Sequence, residues 1–279
     1  MEIKRLHPVS NFIWIAVMAG VLMVSMSPFY VSIALITAML TLLYQKGCSF
    51  WRMLLKCLPL FLFPVLLNPL FSHEGMTILL YFKNGNPLTL ESIYYGLGMG
   101  EMLLSVLLWY AILNDSMSSD KWVQLFGRFA PFFGLLFSMV LRMIPTYQKA
   151  EKKIRECNPK QKAGKRFLML LTYALETSVD TADSMAARGY GSHRRHNFKI
   201  YRWRFFDSVI VLLSVLVLGV IMLASYREML TFYYYPIVYQ EQNILWAAVC
   251  YGGYALLGLL PLGIEIKEKI RWNYLESKI

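Results

Sequence analysis

The chain has 279 residues, of which 57% are hydrophobic, 15% aromatic and only 16% charged. A soluble domain carries about 25% charged and about 45–50% apolar residues, so the composition excludes a pair of ordinary soluble domains and assigns the excess apolar surface to lipid. The formal net charge is +11, and residues 142–204 alone hold 15 Lys and Arg against 5 Asp and Glu; with no aromatic RNA-binding signature beside them, these cations exclude nucleic acid as the partner and mark cytoplasmic loops of a membrane protein.

The N-terminus reads Met1-Glu2-Ile3-Lys4-Arg5 and then turns apolar. Ser25-Met26-Ser27 loosely mimics a signal cleavage site, but the apolar pattern continues to Tyr44, longer than a secretory core. A retained anchor is expected. Residues 12–44 are too long for one span, which needs roughly 20 apolar residues. Ser27-Pro28 divides them, because proline lacks the backbone donor and disfavours helix in the residue before it. Two tightly connected spans, 12–27 and 28–44, are predicted.

Residues 48–58 place Phe50, Leu54 and Leu58 on one helical face and Arg52 and Lys56 on another. This spacing predicts a short basic amphipathic helix at the membrane surface, or else the start of the next span. Residues 58–71 are apolar but carry Pro59, Pro64 and Pro69. Prolines in a span free carbonyls that neighbouring protein must cover, so this kinked helix should pack against others and end or bend at Asn68-Pro69. Residues 72–91 are polar, with a turn at Asn84-Gly85-Asn86-Pro87, and form an external loop. Residues 92–113 are the next span, and Gly96, Gly98 and Gly100 allow close helix approach.

The character changes at Asp115-Ser116-Met117-Ser118-Ser119-Asp120, which offers several helix caps. An amphipathic helix over 121–129 follows. The apolar run 132–144 is only a marginal span; it is expected to dip into the membrane, lie along it or pair with part of 167–179. A basic segment, 149–155, precedes a break at Asn158-Pro159, and a second long helix is predicted over 165–188. There Leu168, Leu171, Leu175, Val179, Ala182 and Ala186 recur every three or four residues as an apolar stripe. Glu176, Asp180 and Asp183 lie on another face without a histidine, and are read as solvated. Ala187-Arg188-Gly189 ends this helix. Spans 205–226 and 244–262 complete the membrane part, and a short charged tail begins at Glu265.

The remaining titratable residues add no chemistry. Cys48, Cys57, Cys157 and Cys250 have no paired spacing, which supports neither a disulfide framework nor a zinc site. His193 and His196 flank Arg194 and Arg195, which disfavour a cation between them. No nucleotide-binding loop, metalloprotease helix or nucleophile elbow is present, so energised work would need a partner. Pairing the spans as 12–27 with 28–44, 58–71 with 92–113 and 205–226 with 244–262 puts every basic loop on one side. The expected fold is an all-α polytopic membrane protein. It has about six transmembrane helices and long cytoplasmic coupling helices, with both termini cytoplasmic. The corresponding divisions are 1–113 (membrane helices), 114–204 (coupling helices) and 205–279 (membrane helices and tail).

Asn68-Pro69-Leu70-Phe71, the Leu141-Arg142-Met143-Ile144-Pro145 turn before a charged helix, and Ala187-Arg188-Gly189 closing the next one together resemble the transmembrane coupling subunit (the EcfT or CbiQ-like T component) of energy-coupling factor transporters, over most of the chain. The resemblance implies a non-catalytic scaffold in a prokaryotic plasma membrane, which binds no cofactor itself because ATP is held by partner subunits. The implied partners are two ABC-type ATPases, a small membrane subunit that binds a vitamin or transition metal, and the lipid bilayer.

In such a scaffold Ala187, Arg188 and Gly189 dock into an ATPase groove, and the apolar face Leu168, Leu171, Leu175, Val179 and Ala182 meets the substrate subunit. The first of that family's two docking motifs should fall near Lys160-Gln161-Lys162, after the first charged helix, where no small-Arg-small sequence stands. Lysine supplies a point charge without arginine's planar fork, a departure that fits two non-identical ATPases. Two rivals stand beside this expectation. A stand-alone secondary transporter or channel would carry ionisable residues or broken helices at mid-membrane, for which Glu101, Pro59 and Pro64 are the candidates. A membrane enzyme would use 142–204 as an active site.

Overall fold

A computed structural model describes residues 6–81, 87–129, 131–190, 201–227, 230–240 and 243–276. In chain order the elements are α1 (Pro8–Val24), α2 (Pro28–Lys46), α3 (Ser49–Phe71), β1 (Ile78–Tyr81), β2 (Pro87–Thr89), α4 (Leu90–Ser116), α5 (Ser119–Phe129), α6 (Pro131–Cys157), α7 (Ala163–Ala187), α8 (Phe205–Tyr226), β3 (Phe232–Tyr233), β4 (Tyr239–Gln240) and α9 (Ile244–Glu276). The chain divides into two compact units, one of residues 1–118 and 201–279 and one of residues 119–200.

The first unit is built from apolar helices. Among the described residues five are long and apolar enough to cross a membrane: α2, α3, α4, α8 and α9. Helix α1 is apolar but has 17 residues, about 26 Å at 1.5 Å per residue, slightly less than the roughly 30 Å hydrocarbon core. The protein is an all-α polytopic membrane protein. The start of α2 follows its sequence: Ser27 is the extended N-cap and Pro28 opens the helix, where its missing N–H would be unpaired in any case.

Helix α1 lies at the centre of this unit. Trp14, Met18, Val21 and Leu22 of α1 are buried with Tyr30, Val31, Ala34 and Ala38 of α2, Leu108, Trp109 and Ile112 of α4, Ile221 of α8 and Tyr254 and Leu257 of α9. Three aromatic donors join the helices without water. The Trp14 Nε1–H donates to the Leu257 carbonyl (3.1 Å), the Trp109 Nε1–H to the Ala34 carbonyl (3.2 Å) and the Tyr254 hydroxyl to the Met18 carbonyl (2.7 Å). Each indole or phenol thus satisfies its own polar atom while its ring fills the core. Trp14 and Trp109 also meet edge to face, 5.7 Å apart.

Helix α3 continues through Pro59, Pro64 and Pro69 to Phe71. Its first turns are the basic segment 48–58, which is therefore the start of this span and not a separate surface helix, and Asn68-Pro69 does not end it. It packs closely against α4 through the glycines of that helix. A Cβ at Gly96 would lie 3.1 Å from the Pro64 carbonyl oxygen, and one at Gly100 2.8 Å from that of Phe61. Only glycine lets α4 approach this closely. Asn68 Nδ2 donates to the Ser92 carbonyl at 2.8 Å across the same seam. Gly98 instead faces the Tyr234 hydroxyl.

The loops after α3 and after α8 contain antiparallel hairpins, β1–β2 and β3–β4. Of the expected turn at Asn84-Gly85-Asn86-Pro87, the first three residues lie outside the described residues, and Pro87 begins β2. Contacts sort the helix ends of this unit into two sets. At one end His7 meets Asp207, Lys46 pairs with Asp115 (2.8 Å) and Gln45 Nε2 donates to Glu265 (2.8 Å). At the other, Tyr234 donates to the Met26 carbonyl (2.9 Å), Ser72 and Tyr235 share a hydrogen bond, and the Met76 N–H donates to the Pro236 carbonyl. The tail expected from Glu265 is helical: α9 runs 33 residues to Glu276, about 50 Å, so it outruns the bilayer core.

The second unit holds α5, α6 and α7. The apolar run 132–144 and the basic segment 149–155 are one helix, α6, which passes through Pro145. The expected turn at 141–145 is therefore absent. The apolar half of α6 pairs with α5, where Gly127 and Gly134 bring the backbones together and Phe126 meets Phe137. The basic half pairs with α7, where the Tyr147 and Tyr173 rings meet edge to face. The chain turns between the two helices at residues 158–162.

Candidate functional site

Helix α7 buries none of its residues. Leu168, Leu175 and Val179 are each more than 60% exposed, and Leu171 and Ala182 are exposed beside them. A helix held this way presents its apolar stripe outward along its whole length. Its hydroxyls bond to the helix's own backbone: Thr172, Thr177, Ser178 and Thr181 each donate to a carbonyl one turn back. Such back-bonding satisfies a hydroxyl without water, and leaves the helix surface ready for an apolar cover. Glu176, Asp180 and Asp183 are exposed on the same helix.

The C-terminus of α7 is built by Gly189. Its φ is +76°, the left-handed region where other residues are strained. The Gly189 N–H donates to the Ala186 carbonyl and the Tyr190 N–H to the Met185 carbonyl, both at 3.0 Å. This pair of bonds is the Schellman ending. Arg188 occupies the cap itself (φ −83°, ψ 9°), its N–H donating to Ser184. Ala187, Arg188 and Gly189 are all exposed. The guanidinium thus leaves a sharply terminated helix between two residues without bulk, at the negative end of the helix dipole. Its five fixed donors suit carboxylates and carbonyls.

Lys160, Gln161 and Lys162 stand differently. They lie in the turn between α6 and α7, where the Gln161 N–H donates to the Asn158 carbonyl and Lys162 is the N-cap of α7 without a side-chain capping bond. Lys160 and Lys162 are exposed. With 25 residues in α7, about 37 Å separates this turn from Arg188. The structure therefore keeps the two candidate docking segments apart, at opposite ends of one helix. It also gives them opposite electrostatic settings, since the lysines sit at the positive end of the dipole.

Buried acids in the membrane unit were hidden in the sequence. Asp207 accepts from the backbone N–H of Arg204 (2.9 Å) and of His7 (3.0 Å), so one carboxylate starts α8 and ties it to α1. Glu91, in the first turn of α4, accepts from the Thr77 N–H and hydroxyl. Glu265 is buried beside Gln45. Only Glu101 stood out as an intramembrane acid beforehand; Ser32 donates to it across 3.4 Å. An acid three residues after Arg204, at the mouth of an apolar run, was the available signal for Asp207. All four cysteines are unpaired. Among the described residues no group of three or more His, Cys, Asp and Glu is assembled that would hold a metal ion; His193 and His196 lie outside the described residues.

No model of a known protein family matches the chain, and no curated protein matches it.

Proposed function

We propose that this protein is the membrane scaffold of an ATP-driven micronutrient importer, coupling partner ATPases to a small membrane subunit that carries a vitamin or transition metal. In this reading the chain is not an enzyme and binds no cofactor; ATP belongs to the partners. It resides in a prokaryotic plasma membrane with the basic helix ends and both termini in the cytoplasm. The observation that carries the reading is α7: a helix with no buried residue, an outward apolar stripe, and an exposed arginine fixed at its end by a Schellman turn. A helix that packs on α6 through one side alone, with Tyr147 against Tyr173, and buries none of its residues is suited to serve other subunits. The apolar stripe from Leu168 to Ala182 would receive the substrate subunit, and Arg188 an acidic or carbonyl-lined ATPase groove.

The roughly 37 Å between Arg188 and Lys160–Lys162 (25 residues of α7, at the helical rise) means that one groove cannot take both. Two grooves on non-identical ATPases fit unequal ends. The test is purification from native membranes. Arg188→Glu is expected to leave the protein in the membrane and to abolish ATPase co-purification and uptake, whereas Lys160→Glu with Lys162→Glu should weaken them less. Unchanged ATPase recovery with Arg188→Glu would overturn the proposal, and uptake by the purified chain alone would favour a stand-alone transporter.

A further inference from the structure

The β1–β2 hairpin has a composition that does not fit water. All four residues of β1 (Ile78, Leu79, Leu80 and Tyr81) are between 47% and 68% exposed. The register shifts between Ile78 and Leu80, and all four side chains are apolar and uncovered whichever way each is turned. Met76, just before the strand, is exposed as well. The hairpin is nonetheless held firmly at its base. Thr77 binds Glu91, the Leu90 N–H donates to the Thr77 carbonyl, the Thr89 hydroxyl donates to the Glu74 carbonyl, and Met76 donates to Pro236. Its position against α4 is therefore set, and its outer strand is displayed.

Two features select what covers it. The first is continuity: α3 ends at Phe71, and its outward residues Phe63, Leu66, Leu70 and Phe71 are exposed apolar groups on a membrane-crossing helix. The apolar surface resumes at Met76, five residues after Phe71, and continues into β1 at the same end of the unit. The second is the backbone: among the described residues β1 pairs with β2 alone, so its other edge joins no further strand there. Open edges are not tolerated in hydrocarbon, and an apolar uncharged edge in water invites strand pairing. Only the headgroup zone satisfies both, with water and headgroups for the edge and acyl chains for the side chains.

We infer that β1 is an interfacial anchor that seats the α3–α4 end of the protein in the bilayer surface, its occupant being lipid. The inference goes beyond the coupling role and depends only on the chain spanning a membrane. The test uses spin labels at Leu79→Cys and Leu80→Cys, with Cys48, Cys57 and Cys157 replaced by serine, on the protein alone in nanodiscs. A label at Leu66→Cys supplies the lipid reference. Collision with oxygen is expected to exceed collision with a water-soluble nickel chelate at both positions. Nickel exceeding oxygen at either would show a solvated hairpin and overturn the inference; protection from both reagents would show a protein cover, a second copy included, and also overturn it. Should either variant fail to reach the membrane, Tyr81→Cys takes its place with the same readout. ATPase recovery is unaffected by any of these outcomes, so this inference and the coupling proposal fail separately.

Discussion

The Tyr190 backbone N–H donates to the Met185 carbonyl at 3.0 Å, a bond that closes only because Gly189 between them takes a φ of +76°. The end of α7, and with it the direction in which Arg188 leaves the helix, therefore rests on a residue without a side chain.

Replacing Gly189 by alanine should cost about 1 kcal/mol at this turn, the usual penalty for a Cβ in the left-handed region. Because the turn is exposed, the loss is expected to be local. Amide hydrogen exchange at Tyr190 should quicken while α8 is unchanged. Gly189→Asn, which tolerates this conformation, should retain most of the protection.

The α3–α4 seam should be intolerant of a single methyl. At Gly100 the new Cβ would meet the Phe61 carbonyl at 2.8 Å, a backbone atom that cannot swing away. Gly100→Ala is expected to destabilise the first unit by about 1–3 kcal/mol, the range for overpacking. Gly252 has nothing within 4 Å of its Cβ position, so Gly252→Ala should be neutral or stabilising. Thermal denaturation in one detergent compares the two directly.

Tyr234 gives a pH signature. Burial, helped by Glu101 and Tyr95, pushes its phenol up to about 12, so the neutral form that donates to Met26 is favoured in the fold. The ordinary phenol titrates near 10. Its contribution to stability is therefore complete below pH 10 and is lost as pH rises from there through about 12. Tyr234→Phe should remove that part of the alkaline loss and lower stability at neutral pH, by freeing the Met26 carbonyl. Difference titration of phenolate absorbance should show one late-titrating tyrosine missing from the variant.

The α-helical class and most helix positions were legible in the sequence, because a span needs an apolar run and proline or glycine marks its ends. Residues 205–226 emerged as α8 without adjustment, and Ser27-Pro28 separated α1 from α2. The apolar stripe and the Arg188 cap of α7 were visible for the same reason: helical periodicity and a glycine terminator are local properties. Proline was the sign most easily misread. Pro59, Pro64, Pro69 and Pro145 all lie inside helices, because one lost backbone bond bends a helix without ending it when the residues on both sides remain helical.

What only the tertiary structure decided is what meets what. Gly96 and Gly100 signalled close approach, but not that the partners are the carbonyls of Pro64 and Phe61. Asp207 looks like an ordinary first-turn acid until His7, 200 residues away, donates to it. The exposed strand β1 appeared in no local pattern, because four apolar residues beside a turn read equally well as loop or core. Charge, hydropathy and capping act over a few residues and are written in the chain, whereas burial and hydrogen-bond partnership depend on segments that only folding brings together.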